Sequence, residues 1–438
     1  MSAKASRRLR TQLIVVLILP ALYTAYRYTL HRMVESKLDA IRQQGYPVTL
    51  AELDKWYPQP PPGENAVEVY QEAFAHNVKL GDEELLLPVV GHAKLPPRGE
   101  PLSQGMRESI AQYLKTNQES IALLHKATAM PYCRVVSHLS ISKTSIVPGA
   151  SDRWLAAHQL ELEAIYAADS GDGGSAAAAL VASLGLVRQF SKEPLADPWF
   201  AQQPYFGLAS FALERALSRT QLDSNQLASV SSALAATESS VAIDHVLLGE
   251  FAWNNDVFSE IRQGREPAGP LLTMDFKGDS HNPGWRGLLL AIVYRLAGIE
   301  DFDQLNYLHL ESIAILIARE PLAQRITTLN AFEQQVRGTS AQLPLSRLDS
   351  YVTCQYLRLD AKYIARLRVA QAGLSVESYR SEHGQLPDAP PSNLTDPFDG
   401  QPLRYKKLAK GYVVYSVGED GKDDGGDEKK DITFTVER

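Results

Sequence analysis

The chain has little cysteine and no excess of basic residues. Its 438 residues include two cysteines, Cys133 and Cys354, in no CxxC spacing. They indicate buried free thiols, or one long-range disulfide if the domain is exported. The net charge of −7 provides no basic surface for nucleic acid, so we expect no nucleic-acid partner. The length predicts two or three domains.

A strong catalytic motif is also missing. Ser140 and Lys143 have Ser-x-x-Lys spacing, but without companion motifs they indicate a solvated turn. His158 and His245 each lie near a glutamate on a predicted helix, and neither has the paired-histidine spacing of a zinc site. We therefore infer no catalytic residue, no cofactor-binding residue and no small-molecule substrate.

The N-terminus combines basic residues with a short apolar run. The basic cluster Lys4–Arg10 precedes the run Leu13–Ala25, and tyrosines border its far side. This pattern predicts a retained signal anchor with the N-terminus in the cytoplasm and the bulk of the chain outside. A cleaved signal peptide is the competing interpretation, although no small-x-small cleavage site follows Ala25.

Helical patterns dominate the next ~280 residues. Thr49, with Glu52 three residues later, predicts a helix N-cap, and Pro58–Pro62 predicts a polyproline strut. The spacing of apolar residues from 65 to 342 is repeatedly helical. Gly264–Trp285 is rich in glycine and proline and predicts a long loop. Gly287–Gly298 is apolar on all sides and too short for a membrane span, so it predicts a buried core helix.

Acidic residues concentrate near the C-terminus. Seven carboxylates lie in one glycine-rich stretch: Glu419, Asp420, Asp423, Asp424, Asp427, Glu428 and Asp431. Folding them between two strands would bring like charges together, which a hard cation such as calcium relieves. We therefore predict a weak calcium site formed by Asp420, Asp423, Asp424, Asp427 and Asp431. A solvated acidic hairpin loop is the alternative.

Several motifs over residues 355–438 occur in a recognisable order. They are "YRSEHGQLP" (Tyr379–Pro387), "DPFDGQPLRY" (Asp396–Tyr405), "SVGEDG" (Ser416–Gly421) and Asp431-Ile432. This order resembles the C-terminal body of the major pseudopilin of bacterial type II secretion systems. The resemblance implies a long helix, a small antiparallel sheet, a calcium-binding loop and lateral packing with protein partners or further copies.

The chain departs from that family in three ways. It lacks the family's N-terminal processing motif, it inserts a long helical body, and Lys429 falls where the family has an acidic ligand. The remainder resembles a group of uncharacterised bacterial signal-anchored envelope proteins, which implies no activity.

These patterns predict a mostly α protein in five segments. They are a cytoplasmic tail (1–12), a transmembrane signal anchor (13–30), a stalk (31–64), an irregular all-α body (65–345) and a pseudopilin-like α+β module (346–438) that begins with a long helix, Ser346–Ser381. The protein is expected at the bacterial cytoplasmic membrane, held by its N-terminal helix, with its bulk on the extracytoplasmic side.

The predicted function is that of a non-enzymatic scaffold or assembly protein, with a possible link to type II secretion. The alternative is an exported hydrolase or ligand-binding protein with its site in the helical body, near Gly264–Trp285. A pocket that brings His158, His245 or His281 to carboxylates would favour the alternative. A contiguous exposed apolar face on Ser346–Ser381 would favour the scaffold.

Overall fold

The computed structural model describes residues 3–135, 139, 150–190, 193–240, 242–265 and 284–438. The chain is mostly helical and ends in a small antiparallel sheet, which confirms the predicted class. The helices of the described residues are α1 (Ala3–Gln43), α2 (Leu50–Trp56), α3 (Ala66–Ala75), α4 (Gln104–Thr116), α5 (Gln118–Ala129), α6 (Ala150–Asp169), α7 (Gly173–Phe190), α8 (Ala196–Arg219), α9 (Ser224–Ser240), α10 (Ile243–Gln263), α11 (Gly284–Leu296), α12 (Ile299–Ala318), α13 (Leu322–Arg337) and α14 (Pro344–His383). The strands are β1 (Arg404–Lys407), β2 (Tyr412–Ser416) and β3 (Ile432–Val436).

The predicted anchor lies within α1. Side chains from Ile18 to Ala25 are exposed, whereas Leu30, Val34 and Leu38 are buried at helical spacing. Across the described ranges, no helix is both long enough and apolar enough to cross a membrane. The transmembrane anchor at 13–30 is not shown and stays a prediction.

The chain forms two compact units, and each collects separated segments. Unit 1 comprises Met1–Trp56, Leu248–Ile317 and Asn330–Gln355. Unit 2 comprises Tyr57–Leu247, Ala318–Leu329 and Tyr356–Arg438. Among the described residues, four helices contribute to both units: α10, α13, α14 and, by its last residue Ala318, α12.

Unit 1 is built around α1, α10 and α12. Its core contains Val34, Phe251, Phe258 and Tyr307, together with Leu345 from the first turn of α14. Thr49 Oγ1 accepts a hydrogen bond from the N–H of Glu52 at 3.2 Å, as the capping pattern predicts.

A buried carboxylate holds the start of α14 in this unit. Asp303 accepts the N–H of Leu345 at 3.0 Å and the N–H of Ser346 at 2.9 Å. It also accepts the hydroxyl of Tyr294 at 2.7 Å. The first turn of a helix has backbone N–H groups without intrahelical partners, and this carboxylate satisfies two of them. Asp303 thereby joins α11, α12 and α14.

Unit 2 packs α6, α7 and α8 against one another and places the sheet beside them. One continuous core includes Tyr113 of α4, Leu160 of α6, Phe206 of α8 and Tyr363 of α14, as well as Phe434 of β3. The sheet order is β1-β2-β3, with both pairs antiparallel.

Cys133 and Cys354 are buried thiols, in agreement with the first of the two sequence interpretations.

The long helix predicted at Ser346–Ser381 is α14, and a glycine ends it at the expected turn. Gly384 has a φ of +70° and donates its N–H to the carbonyl of Arg380 at 2.9 Å. Across the 40 residues of α14, which are all described, no large apolar side chain is exposed. The exposed apolar face that would favour the scaffold is therefore not found on this helix.

The prediction for Gly287–Gly298 is wrong. Most of this segment forms α11, and Leu288, Leu289, Leu290, Ile292 and Val293 are exposed rather than buried. Apolar side chains on all sides of a helix indicate that the helix is removed from water. They do not indicate that other parts of the same chain pack around it. The predicted loop Gly264–Trp285 falls mainly on residues 266–283, which lie outside the described residues, and Trp285 is already helical.

Close packing of α14 on β3 requires a residue without a side chain. A Cβ atom added at Gly373 would lie 2.3 Å from Cδ1 of Phe434. Gly373→Ala should therefore lower the free energy of unfolding by about 1–3 kcal/mol, since Phe434 or the strand must shift. Urea unfolding followed by circular dichroism measures the effect.

Gly207→Ala in α8 is the matched control, because a Cβ there meets nothing within 4 Å. It should be neutral or stabilising by up to about 1 kcal/mol, the ordinary helix preference of alanine over glycine. Equal effects of the two substitutions would contradict the packing argument.

Candidate functional site

The predicted calcium loop connects β2 to β3. Gly418, Gly421, Gly425 and Gly426 all have positive φ, between +67° and +80°, which lets the backbone turn sharply four times. The loop is thus a tightly folded connection.

A fully buried aspartate fixes the first residues of the loop. Asp396 accepts the hydroxyl of Ser416 at 2.8 Å and the N–H of Val417 at 2.9 Å. It also accepts the N–H of Phe398 at 3.0 Å, and Arg404 donates to it at 2.9 Å. A buried carboxylate is stable only when such partners surround it. Asp396 therefore holds the Asp396–Tyr405 motif against the end of β2.

Three predicted ligands have hydrogen-bond partners within the loop or beside it. Asp423 accepts the hydroxyl of Tyr415 and the N–H of Gly425, each at 3.0 Å. Burial, followed by the hydrogen bond to Asp423, raises the pKa of Tyr415 to about 12. Asp424 pairs with Lys430 at 2.8 Å, and Asp427 accepts the N–H of Lys429 at 3.0 Å. Lys430 thus offsets the charge of Asp424, whereas Asp423 and Asp427 have hydrogen bonds from neutral groups.

Asp431 differs from the other loop carboxylates because it is buried. Its Oδ2 accepts the N–H of Gly426 at 2.8 Å and the N–H of Asp427 at 3.2 Å. Its Oδ1 is buried and has no hydrogen-bond partner among the described residues. A buried carboxylate oxygen without a partner is costly, and a cation would satisfy it.

The remaining candidate, Asp420, is exposed at the tip of the loop and accepts the N–H of Lys422 at 3.0 Å. The loop is thus partly suited to calcium: Asp431 has an available oxygen, but the other carboxylates are dispersed. In the described parts of the chain, no group of three or more His, Cys, Asp or Glu side chains is close enough to hold a metal ion. Calcium binding at Asp420 and Asp431 therefore stays a prediction.

A second site, which the sequence does not indicate, lies in unit 2. A cavity of about 630 Å³ opens between α4, α5 and α6, and residues of the α6–α7 turn complete its wall. Within it His125 Nε2 lies 2.8 Å from Glu163 Oε2. Leu114, Ile121 and Tyr166 supply apolar wall. A half-buried histidine paired with a carboxylate can hold a polar ligand or exchange a proton with it.

Sequence reasoning missed His125 and Glu163 because their proximity is entirely tertiary. They are 38 residues apart, on α5 and α6, and neither belongs to a motif. The close approach of α5 to α7 contributes to this packing, since a Cβ at Gly185 would lie 2.6 Å from the carbonyl oxygen of Thr128.

The histidines singled out in the sequence have different surroundings. His158 Nδ1 contacts the carbonyl of Val89 at 2.8 Å, and burial lowers the pKa of His158. His245 lies at the start of α10, away from the cavity lining. Ser140, Lys143 and His281 lie outside the described residues. Of the two described histidines, His158 and His245, neither lines the His125–Glu163 cavity.

Comparison with known proteins gives no relative for the chain. No family model, no curated protein and no solved structure matches it.

We expect the loop to bind calcium through Asp431 and Asp420. Calcium titrated into the full chain should bind with a dissociation constant of about 0.1–1 mM, the range of weak extracellular modules. Asp431→Asn should abolish this binding, because the amide keeps an oxygen for the N–H groups of Gly426 and Asp427 but loses the charge. Isothermal titration calorimetry provides the measurement.

Asp388→Asn is the control, since Asp388 lies in the same C-terminal region outside the loop and pairs with Lys407. It should bind calcium as the unaltered chain does. Calcium binding that is no stronger than magnesium binding, or that survives Asp431→Asn, would show the loop to be an ordinary acidic turn.

Burial of Glu161 generates a prediction about pH. Its Oε2 has no hydrogen-bond partner among the described residues, and burial raises the pKa of Glu161 from 4.5 to about 8. The folded chain thus holds this proton more tightly than the unfolded chain. The resulting stability is complete below pH 4.5 and is lost as the pH rises through 8. Glu161→Gln cannot ionise and should escape this loss.

The stability of Glu161→Gln relative to the unaltered chain should therefore rise by about 2–4 kcal/mol between pH 4.5 and pH 9. Urea unfolding at a series of pH values measures this difference. Glu108→Gln, at an exposed position of α4, should show little change with pH. A flat difference for Glu161→Gln would mean that water or a counter-charge reaches the carboxylate.

Proposed function

We propose that the protein is a non-enzymatic scaffold of the bacterial cell envelope, attached to the cytoplasmic membrane and making protein contacts through its C-terminal module. One observation carries the proposal: α14 is followed by a three-stranded antiparallel sheet with a glycine-punctuated acidic loop between β2 and β3. This is the arrangement that the pseudopilin resemblance implies. The type II secretion machinery is accordingly the first assembly to consider for its partners.

The loop and the neighbouring edge strand are the parts of this module available for protein contacts. Because no large apolar side chain of α14 is exposed, a partner of this module must use another surface. Asp420, Lys422 and Lys429 are exposed in the loop, and Lys406 and Lys407 are exposed on β1. Charges of both signs in one small area favour recognition by electrostatic complementarity over tight apolar binding.

Glu419 links this loop to α14. Lys362 lies 2.5 Å from one carboxylate oxygen of Glu419, and Arg358 lies 3.8 Å from the other. These side chains hold the first part of the loop beside the helix. A partner that contacts the loop would consequently meet a surface that is already ordered, which lowers the entropy cost of binding.

Membrane attachment is the second part of the proposal. The exposed apolar segment of α1 ends at the tyrosines near residue 28, and burial in unit 1 begins at Leu30. This boundary supports the proposal that the membrane-attached part of α1 ends near residue 30. The basic cluster Lys4–Arg10 ahead of Leu13–Ala25 favours an N-terminus in the cytoplasm and an extracytoplasmic bulk.

One observation favours a second candidate function, that of an exported hydrolase or ligand-binding protein. The His125–Glu163 pair lies in a cavity large enough for a small molecule. Among the described residues that line the cavity, the nucleophile candidates are two serines. Ser170 lies in the turn between α6 and α7, and Ser175 lies in the first turn of α7. Binding is therefore the better-supported form of this candidate.

A photo-crosslinking amino acid placed at Lys422 tests the scaffold. Irradiation of intact cells should join this position to a discrete protein or to a second copy of the chain, because the loop carries the contact. The same amino acid at Val78, an exposed position of unit 2 outside the module, should give no adduct. Adducts are separated by electrophoresis and identified by mass spectrometry.

The double variant His125→Gln/Glu163→Gln separates the two candidate functions. Under the scaffold proposal it should retain both the adduct at position 422 and the phenotype that complements a gene deletion. Absence of adducts at positions 422, 429 and 407 would contradict the scaffold. Loss of the phenotype in a folded double variant would favour the ligand-binding candidate.

A further inference from the structure

The helix α11 is attached to unit 1 by one narrow stripe. Gly287, Tyr294 and Gly298 are buried and Ala291 is half-buried, which is the spacing of a single helix face. The hydroxyl of Tyr294 donates to Asp303 at 2.7 Å in the interior of the unit. The contact is therefore specific, but it covers only a small part of the helix surface.

The rest of α11 presents large apolar side chains to solvent. Trp285 and Leu288 are 71% and 65% exposed, and Leu296 is 62% exposed. Leu289, Leu290, Ile292 and Val293 are each 44–52% exposed. Isolated exposed apolar residues are common, but seven on one 13-residue helix form a contiguous patch of the kind that marks an interaction surface.

A second exposed apolar segment adjoins this helix within the same unit. The hydroxyl of Tyr26 donates to the carbonyl of Ala297 at 3.2 Å, and Arg27 donates to the carbonyl of Arg295 at 2.9 Å. The C-terminal end of α11 is thus fixed to α1 directly after the run Leu13–Ala25. In that run, Ile18, Leu19 and Leu22 are 50–61% exposed.

The chemistry of α11 suits lipid better than a protein partner. Residues 288–293 are Leu, Leu, Leu, Ala, Ile and Val, without a polar side chain among them. Protein interfaces normally combine an apolar centre with a polar rim and hydrogen bonds. A bilayer interior offers hydrocarbon alone, and tryptophan is favoured at its boundary with water.

The length of α11 determines how it can lie. Thirteen residues make a helix about 20 Å long, whereas the hydrocarbon core of a bilayer is about 30 Å thick. A helix of this length cannot span, but it can lie in the plane of the interface with its apolar side chains in the acyl region.

We infer that α11 lies in the surface of the same bilayer that holds α1, with Leu288–Val293 in contact with lipid. The inference rests on the membrane attachment proposed above. It gives unit 1 two points of contact with the membrane, joined through Tyr26 and Arg27.

An environment-sensitive fluorophore tests this inference in the full chain. Leu289→Cys, labelled with a nitrobenzoxadiazole group, is reconstituted into vesicles of phosphatidylcholine and phosphatidylglycerol. The native thiols of Cys133 and Cys354 are buried, so the unaltered chain serves as the labelling blank. The emission should shift to shorter wavelength, with strong quenching by nitroxide-labelled lipid and little quenching by aqueous iodide.

Leu86→Cys is the matched control, because Leu86 is a 74% exposed leucine in unit 2. Its label should be quenched by iodide and not by the lipid nitroxide. Iodide quenching at position 289 equal to that at position 86 would overturn the inference. Protection of position 289 from both quenchers would also overturn it, because a second copy or another protein would then cover α11.

Flotation of the vesicles distinguishes this failure from failure of the proposed attachment. If the chain floats with the vesicles but iodide quenches the label at position 289, only the inference about α11 is contradicted. If the chain does not float, the membrane attachment through α1 is contradicted as well. Val293→Cys, labelled in the same way, repeats the measurement one helical turn away and should give the same result as Leu289→Cys.

Discussion

Two buried carboxylates that accept backbone N–H groups hold the start of α14 and the start of the acidic loop in place. An ionised or neutral carboxyl group inside a protein is tolerated only when hydrogen bonds replace the water it has lost. Asp303 meets this requirement with the first turn of α14, and Asp396 meets it with the first residues of the acidic loop. Loss of either carboxylate would leave several polar groups unsatisfied at once, so the geometry of α14 and of the loop depends on them.

Local features of the fold could be predicted from the sequence. The Thr49 cap, the turn at Gly384, the helix Ser346–Ser381 and the terminal sheet each depend on residues close together in the chain. The glycine positions also indicated that the acidic loop turns sharply. For the candidate calcium site, the sequence supplied the residues, but it did not indicate that Asp431 alone would be buried with one oxygen lacking a partner.

Features that depend on distant residues could not be predicted. Both compact units are assembled from separated segments, and α14 contributes residues to each. The His125–Glu163 pair needs two helices to meet, and no pattern along either helix signals that meeting. The exposure of α11 was missed for a related reason. The pattern of apolar residues shows which side chains are apolar, whereas their burial depends on which other elements pack against them in the folded chain.

The composition of the unit 2 core has a consequence for how the protein is made. Ala66 and Tyr70 share that core with Phe434 and Val436, so its two ends are about 370 residues apart in the chain. Nearly the whole chain must therefore be synthesised before this core can be completed. Until β3 is available, the helices α3–α9 lack part of the apolar surface on which they pack. Contacts between such distant residues also slow folding, since a large loop must be closed first. A chain whose core closes this late exposes apolar side chains to solvent for longer, which raises its tendency to aggregate before folding is complete.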